Sequence, residues 1–257
     1  MKLKLKYKRE MKMNFNDREK IIALTPLWKG ERLPDGRPKV EDKYLDALYG
    51  MTLEEVWKPI FVLGYEHQFV GGGENPLNTL HDDGRKLVGR AVTCTYCPTR
   101  PDLHDVQFAR GAEDGLQGNY NQWVIDHLYE RDVVVCDMYD KIYKGTFLGG
   151  NLTTALHNRT KTGGAVIWGG IRDVEQMKKV PDVQVYYRGI DPTPIREFVM
   201  KDWNDITNFG GAVCLPGDIV FGAGGGVLFI PAHLVADVVE GAAKTHVKDD
   251  FGFEMIC

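Results

Sequence analysis

Residues 163–173, GGAVIWGGIRD, decide the reading of this chain. The apolar run AVIW lies between two glycine pairs, and Arg172 and Asp173 follow at once. Apolar β-formers bounded by glycines read as a buried strand. The next segment, VEQMKKV, has helical spacing and stops at Pro181. Arg172 and Asp173 therefore fall where a buried strand ends and a helix starts. In α/β proteins ligands bind at that rim. A fixed cation beside a carboxylate there can hold an anionic substrate and a metal ion. A second reading stands beside it: Asp before a helix is a favoured N-cap, with Arg172 as its ion partner.

Upstream, residues 147–156 read FLGGNLTTAL and follow the strand-like run VVVCD at 133–137. Two glycines and an Asn before a helical pattern make a loop whose backbone N–H groups can face an anion. A plain β-to-α turn would look the same.

The serial order of five pieces resembles a known family. LVGRAVT (87–93), RDVVVCD (131–137), LGGNLTTAL (148–156), GGAVIWGGIRD (163–173) and CLPGDIVFGAGGGVLFIP (214–231) succeed one another. This pattern is similar to the family of regulator of ribonuclease activity A (RraA) and 4-hydroxy-4-methyl-2-oxoglutarate aldolase. The resemblance spans residues 87–243. It implies an α/β layered sandwich with a swivelling-type β/β/α core. A TIM barrel would need eight regular strand–helix units, which this chain lacks. The family's acidic residues in the last hairpin turn are replaced here by Gly222, Ala223, Gly224 and Gly225.

The expected layout is an extension over 1–46, an RraA-like α/β domain over 47–244 and a tail over 245–257. Helices are expected over 44–47, 53–70, 119–129 and 152–159, with a polar, irregular stretch at 102–118 that leaves room for one short helix. An insertion is expected at 191–209. The GAGGG run at 222–226 is followed by the β-like VLFIP rather than a helix. It therefore reads as a hairpin turn and not as a dinucleotide loop.

Composition excludes several classes. The net charge of −4 gives no case for nucleic acid. No apolar run approaches a membrane span. The start, MKLKLKYKREMKM, lacks the apolar stretch of a secretory signal, so a cytoplasmic protein is expected. Five cysteines, an odd count, argue against a disulfide framework. The pair Cys94 and Cys97 ends a strand, away from a helix N-terminus that would activate it, and reads as structural thiols. The histidines, among them His67, His104, His127 and His233, show no zinc spacing.

The resemblance implies a metal-dependent carbon–carbon lyase that cleaves a 4-hydroxy-2-oxo acid to pyruvate and a second oxo compound. It also implies decarboxylation of oxaloacetate. A divalent cation, Mg²⁺ or Mn²⁺, stabilises the pyruvate enolate in both reactions. Arg172 and Asp173 match the family's substrate-binding and metal-binding positions. Gly149, Gly150, Asn151 and Leu152 match its substrate-carboxylate loop. A homotrimer or homohexamer is implied, with an acid, Asp249 or Asp250, reaching across from a neighbouring subunit. The alternative is a protein that regulates a ribonuclease by binding, without chemistry.

Overall fold

The computed structural model describes residues 15–256, with side chains described through Val247. Three short helices open it: α1 (Arg18–Leu24), α2 (Asp42–Leu48) and α3 (Leu53–Val62). Strands β1 (Phe69–Gly71), β2 (Asn78–Thr79) and β3 (Leu87–Pro98) follow, then α4 (Pro101–Glu113) and α5 (Tyr120–Asp126). The centre of the chain runs β4 (Asp132–Leu148), α6 (Gly150–Thr160), β5 (Gly164–Ile171), α7 (Val174–Met177) and β6 (Gln184–Ile190). Strands β7 (Phe198–Trp203), β8 (Thr207–Phe209), β9 (Ala212–Cys214), β10 (Ile219–Ala223) and β11 (Gly226–Ile230) lead to α8 (Val235–Ile256).

The main sheet has the order β1-β11-β10-β3-β4-β5-β6-β2, with β7 added on β3. Only β3 through β6 run parallel, and the flanking pairings are antiparallel. This is a mixed α/β sheet in a layered sandwich, not a barrel of eight parallel strands. The run Val133–Cys136 shows why the centre reads as continuously apolar. Val134 and Cys136 enter a core shared with α5 and α6, around Trp123 and Leu156. Val133 and Val135 enter another, with Phe209 and Cys214 of the two-stranded β8-β9 sheet and Phe229 of β11. Strands covered on both faces need no polar alternation. A third core joins α2, α3 and α8 to β10 and β11 through Leu45, Val56, Phe221 and Val238.

The glycine run closes a hairpin, as its sequence implies: Ala223 pairs with Gly226, and Gly224 takes φ +53° in the two-residue turn. Four expectations are corrected. The helix expected over 53–70 stops at Val62; Gly64 takes φ +85° and the chain turns into β1. Where the polar stretch left room for only one short helix, the 13-residue α4 fills most of it, started by Pro101 in its first turn. The presumed tail is helical, since α8 continues to Ile256. The segment read as an extension is built into the fold from its first described residues. Arg37 donates two hydrogen bonds to Asp132 at the start of β4, at 2.9 and 2.7 Å, with both side chains fully buried. The alternating Lys/Leu start lies outside the described residues. The cysteines Cys94, Cys97, Cys136 and Cys214 are free thiols.

Candidate active site

Strands β4 and β5 end side by side, with Leu148 opposite Ile171. To get there β4 shifts register three times, between Asp137 and Lys141, between Lys141 and Thr146, and between Thr146 and Leu148. Tyr139, Asp140 and Lys144 take positive φ within them. Bulges of this kind re-aim a strand at its end. Asn121 of α5, buried, holds the result by donating from Nδ2 to the Phe147 carbonyl at 3.0 Å.

Helix α6 starts with no loop at all. Gly149 is its N-cap, supplies no side-chain cap, and its carbonyl accepts the first helical bond from Thr153 N at 3.0 Å. The amides of Gly150, Asn151 and Leu152 precede that bond, so the helix presents its open N-terminal turn to the cleft. The glycines expected in a loop are thus the first residues of a helix.

At the end of β5 the Arg172 amide donates to the Leu148 carbonyl at 3.0 Å, tying the two strand ends together. Asp173 occupies the N-cap position of α7 but does not act as a cap. Its backbone is left-handed, at φ 55° and ψ 37°, and its carboxylate makes no cap hydrogen bond. The helix instead begins from its carbonyl, which accepts from Gln176 N and Met177 N at 2.9 Å. The left-handed residue turns the side chain toward Gly149. A Cβ placed on Gly149 would lie 2.6 Å from Asp173 Oδ2 and 3.2 Å from Arg172 Nε. A Cβ on Gly150 would lie 2.5 Å from Gln176 Oε1. A side chain at either position would displace the groups that now rest on the glycine backbone. Arg172 Nη1 and Asp173 Oδ2 are 3.6 Å apart, and both side chains are between a third and two fifths exposed.

These groups line one cleft of about 490 Å³. Gly149, Asn151, Leu152, Arg172 and Asp173, all expected from the sequence, are on its wall. Gly150 underlies Gln176. Asp249 and Asp250 lie on α8, and their side chains are outside the described residues. The sequence reading missed Asn119, Asn121, Gln122, Gln176, Pro194 and Ile195. Gln176 was findable, three residues past Asp173 on a short helix. Pro194 and Ile195 carry no sequence signal. They reach the cleft because the segment after β6 is stitched to the strand ends. Asp191 N donates to Ile171 O at 3.1 Å, Lys144 N to Thr193 Oγ1 at 2.8 Å, and Arg196 N to Lys144 O at 2.8 Å.

The donor set suits a hard cation. The cleft offers one carboxylate, not spent on capping, and several amide oxygens, with no thiol or imidazole. Among the described residues no group of three or more His, Cys, Asp or Glu could hold a metal by itself. Mg²⁺ is bound in this way, by one or two carboxylates with water and substrate completing its shell.

Comparison with known proteins agrees with this architecture. Streptomyces coelicolor RraAS2, described as an unusual member of the RNase ES inhibitor RraA protein family, superposes with a TM-score of 0.67. It is 22% identical, over 84% of this chain and 97% of that one. An uncharacterized protein from Pseudomonas syringae pv. tomato superposes with a TM-score of 0.68 at 18% identity, over 88% of this chain and 94% of its own. At those identities the likeness shows the fold alone. Protein DlpA of Legionella pneumophila is 29% identical over 169 residues, 65% of this chain. The match spans about a quarter of that relative's length, 25%. The RraA-like family model, Aldolase/RraA, matches residues 63–229, and the chain belongs to that family.

Proposed function

We propose that this protein is a divalent-metal-dependent lyase that cleaves a 4-hydroxy-2-oxo acid to pyruvate and a second oxo compound. The observation that carries the proposal is Asp173. It sits where a helix cap belongs and does not cap, and its carboxylate faces Gly149 beside Arg172. The left-handed backbone leaves that carboxylate on the cleft wall instead of on the helix end.

The chain's own groups divide the work. The open N-terminal turn of α6 binds the substrate carboxylate through its backbone amides. Arg172 places its planar fork on the carboxylate or 2-oxo oxygen and offsets the negative charge that develops there. Asp173 would hold Mg²⁺ or Mn²⁺, which supplies Lewis-acid polarisation of the 2-oxo group. In the cleavage the C3–C4 bond breaks and its electron pair moves to C3, drawn toward the 2-oxo oxygen beside Arg172. The C4 hydroxyl loses its proton to water as C4 becomes a carbonyl, and C3 takes up a proton to give pyruvate. Decarboxylation of oxaloacetate uses the same electron sink with CO₂ as the leaving fragment. The site is completed in a ring of subunits, with Asp249 or Asp250 of a neighbouring protomer acting on bound water.

The test is pyruvate release from a panel of 4-hydroxy-2-oxo acids and oxaloacetate, with Mg²⁺, Mn²⁺ or chelator. Metal-dependent release from at least one substrate is expected. No release from any of them, with the protein folded and metal present, rejects the lyase and favours a binding protein.

A further inference from the structure

Resting on the lyase reading, the geometry points to a substrate with a single carboxylate: a 4-hydroxy-2-oxo acid whose far end is uncharged and hydroxylated, of the 3-deoxy-2-oxo sugar acid class. Among the described residues, Arg172 is the only cation on the cleft wall. It and the α6 N-terminus sit together beside Gly149, so both serve the 2-oxo acid end. Lys144, on the strand that supports the cleft, is paired with Glu197. Arg196 follows Ile195 but is not on the wall.

The rest of the lining that this chain itself supplies is neutral among the described residues. Asn119, Gln122 and Gln176 carry side-chain amides that make no side-chain hydrogen bond among the described residues, whereas Asn121 is spent on Phe147. Pro194 and Ile195 form an apolar wall. A second carboxylate would lose water there without gaining a cation, which is costly. Hydroxyl groups lose nothing, because each amide offers a donor and an acceptor. Cleavage of such a substrate breaks C3–C4, transfers the electron pair to C3 and the C4 hydroxyl proton to water, and returns a proton to C3. The products are pyruvate and an uncharged hydroxyaldehyde.

Two uncleavable probes of equal chain length separate the classes: 5-hydroxy-2-oxopentanoate and 2-oxoglutarate, titrated calorimetrically with Mg²⁺ present. The hydroxyl probe should bind about tenfold tighter or better. Gln122→Arg, a substitution at an exposed position of α5, should reverse the preference by adding the missing cation. Equal binding of both probes, or tighter binding of 2-oxoglutarate, overturns the proposal. Pyruvate release is then compared for a 3-deoxy-2-oxo sugar acid and a 4-hydroxy-2-oxo dicarboxylate. Faster release from the sugar acid supports the class. Faster or equal release from the dicarboxylate overturns it and leaves the lyase standing. Release from neither overturns this proposal, and absence of release from oxaloacetate and the rest of the panel as well removes the lyase reading with it.

Discussion

Asp173 spends backbone energy to keep its side chain in place. A non-glycine residue in the left-handed region is disfavoured, and Asp is among the few that tolerate it. The carboxylate makes no cap bond, and its ion pair with Arg172 is partly exposed and adds little to stability. Asp173→Gly should therefore leave stability unchanged or raise it by about 0.5–1 kcal/mol, while metal-dependent turnover is lost. Chemical denaturation and pyruvate release on the same preparation check this. A loss of stability would mean that Asp173 is a structural residue. The residue's identity and place at a strand end were legible in the sequence. Its failure to cap was not, because a capping Asp and a left-handed Asp share one sequence position and differ only in φ.

At the level of elements, two buried carboxylates make opposite demands. Asp132 of β4 is bound by both Nη atoms of Arg37 and by Tyr129 N at 2.8 Å, with no access to water. Arg37→Ala strands that charge and should cost about 3–5 kcal/mol in denaturant. An unchanged midpoint would show that residues 15–46 are not part of the cooperative fold. Asp218, at the entry to β10, accepts from Leu215 N at 2.8 Å but has no cation paired with it among the described residues, and burial pushes its carboxyl up to about 7 from 3.8. A carboxyl raised in the folded state stabilises while protonated. Its contribution is complete below 3.8 and is lost as pH rises through about 7. The wild-type melting temperature should fall across that window more than that of Asp218→Asn, which cannot ionise. Parallel pH profiles would contradict the assignment. The central elements were legible because AVIW, VVVC and the glycine turn each obey one local rule. The N-terminal attachment was not, since Arg37 meets a partner 95 positions away, and no pattern around LPDGRP announces a buried ion pair.

For the whole molecule, the fold follows from burying the four parallel strands on both faces and closing the antiparallel edge with a glycine hairpin. The cleft lies outside that core, at the carboxyl ends of β4 and β5. Its walls come from α5, α6, α7 and the segment after β6, which explains why only part of it could be read from contiguous sequence. We propose that the molecule assembles as a trimer or a pair of trimers through a heterologous, ring-closing interface. Light scattering at micromolar concentration should give three or six times the chain mass, and a monomer would contradict it. Whether Asp173 holds a catalytic metal rather than a helix end is decided by one paired experiment. Pyruvate release is followed against Mn²⁺ concentration for the wild type and for Asp173→Asn, which keeps the shape and the left-handed tolerance of Asp but removes its charge. Saturable, metal-dependent release is expected for the wild type, with a loss on the order of 10²-fold or more for the folded variant. A folded Asp173→Asn with wild-type metal-dependent turnover would contradict it.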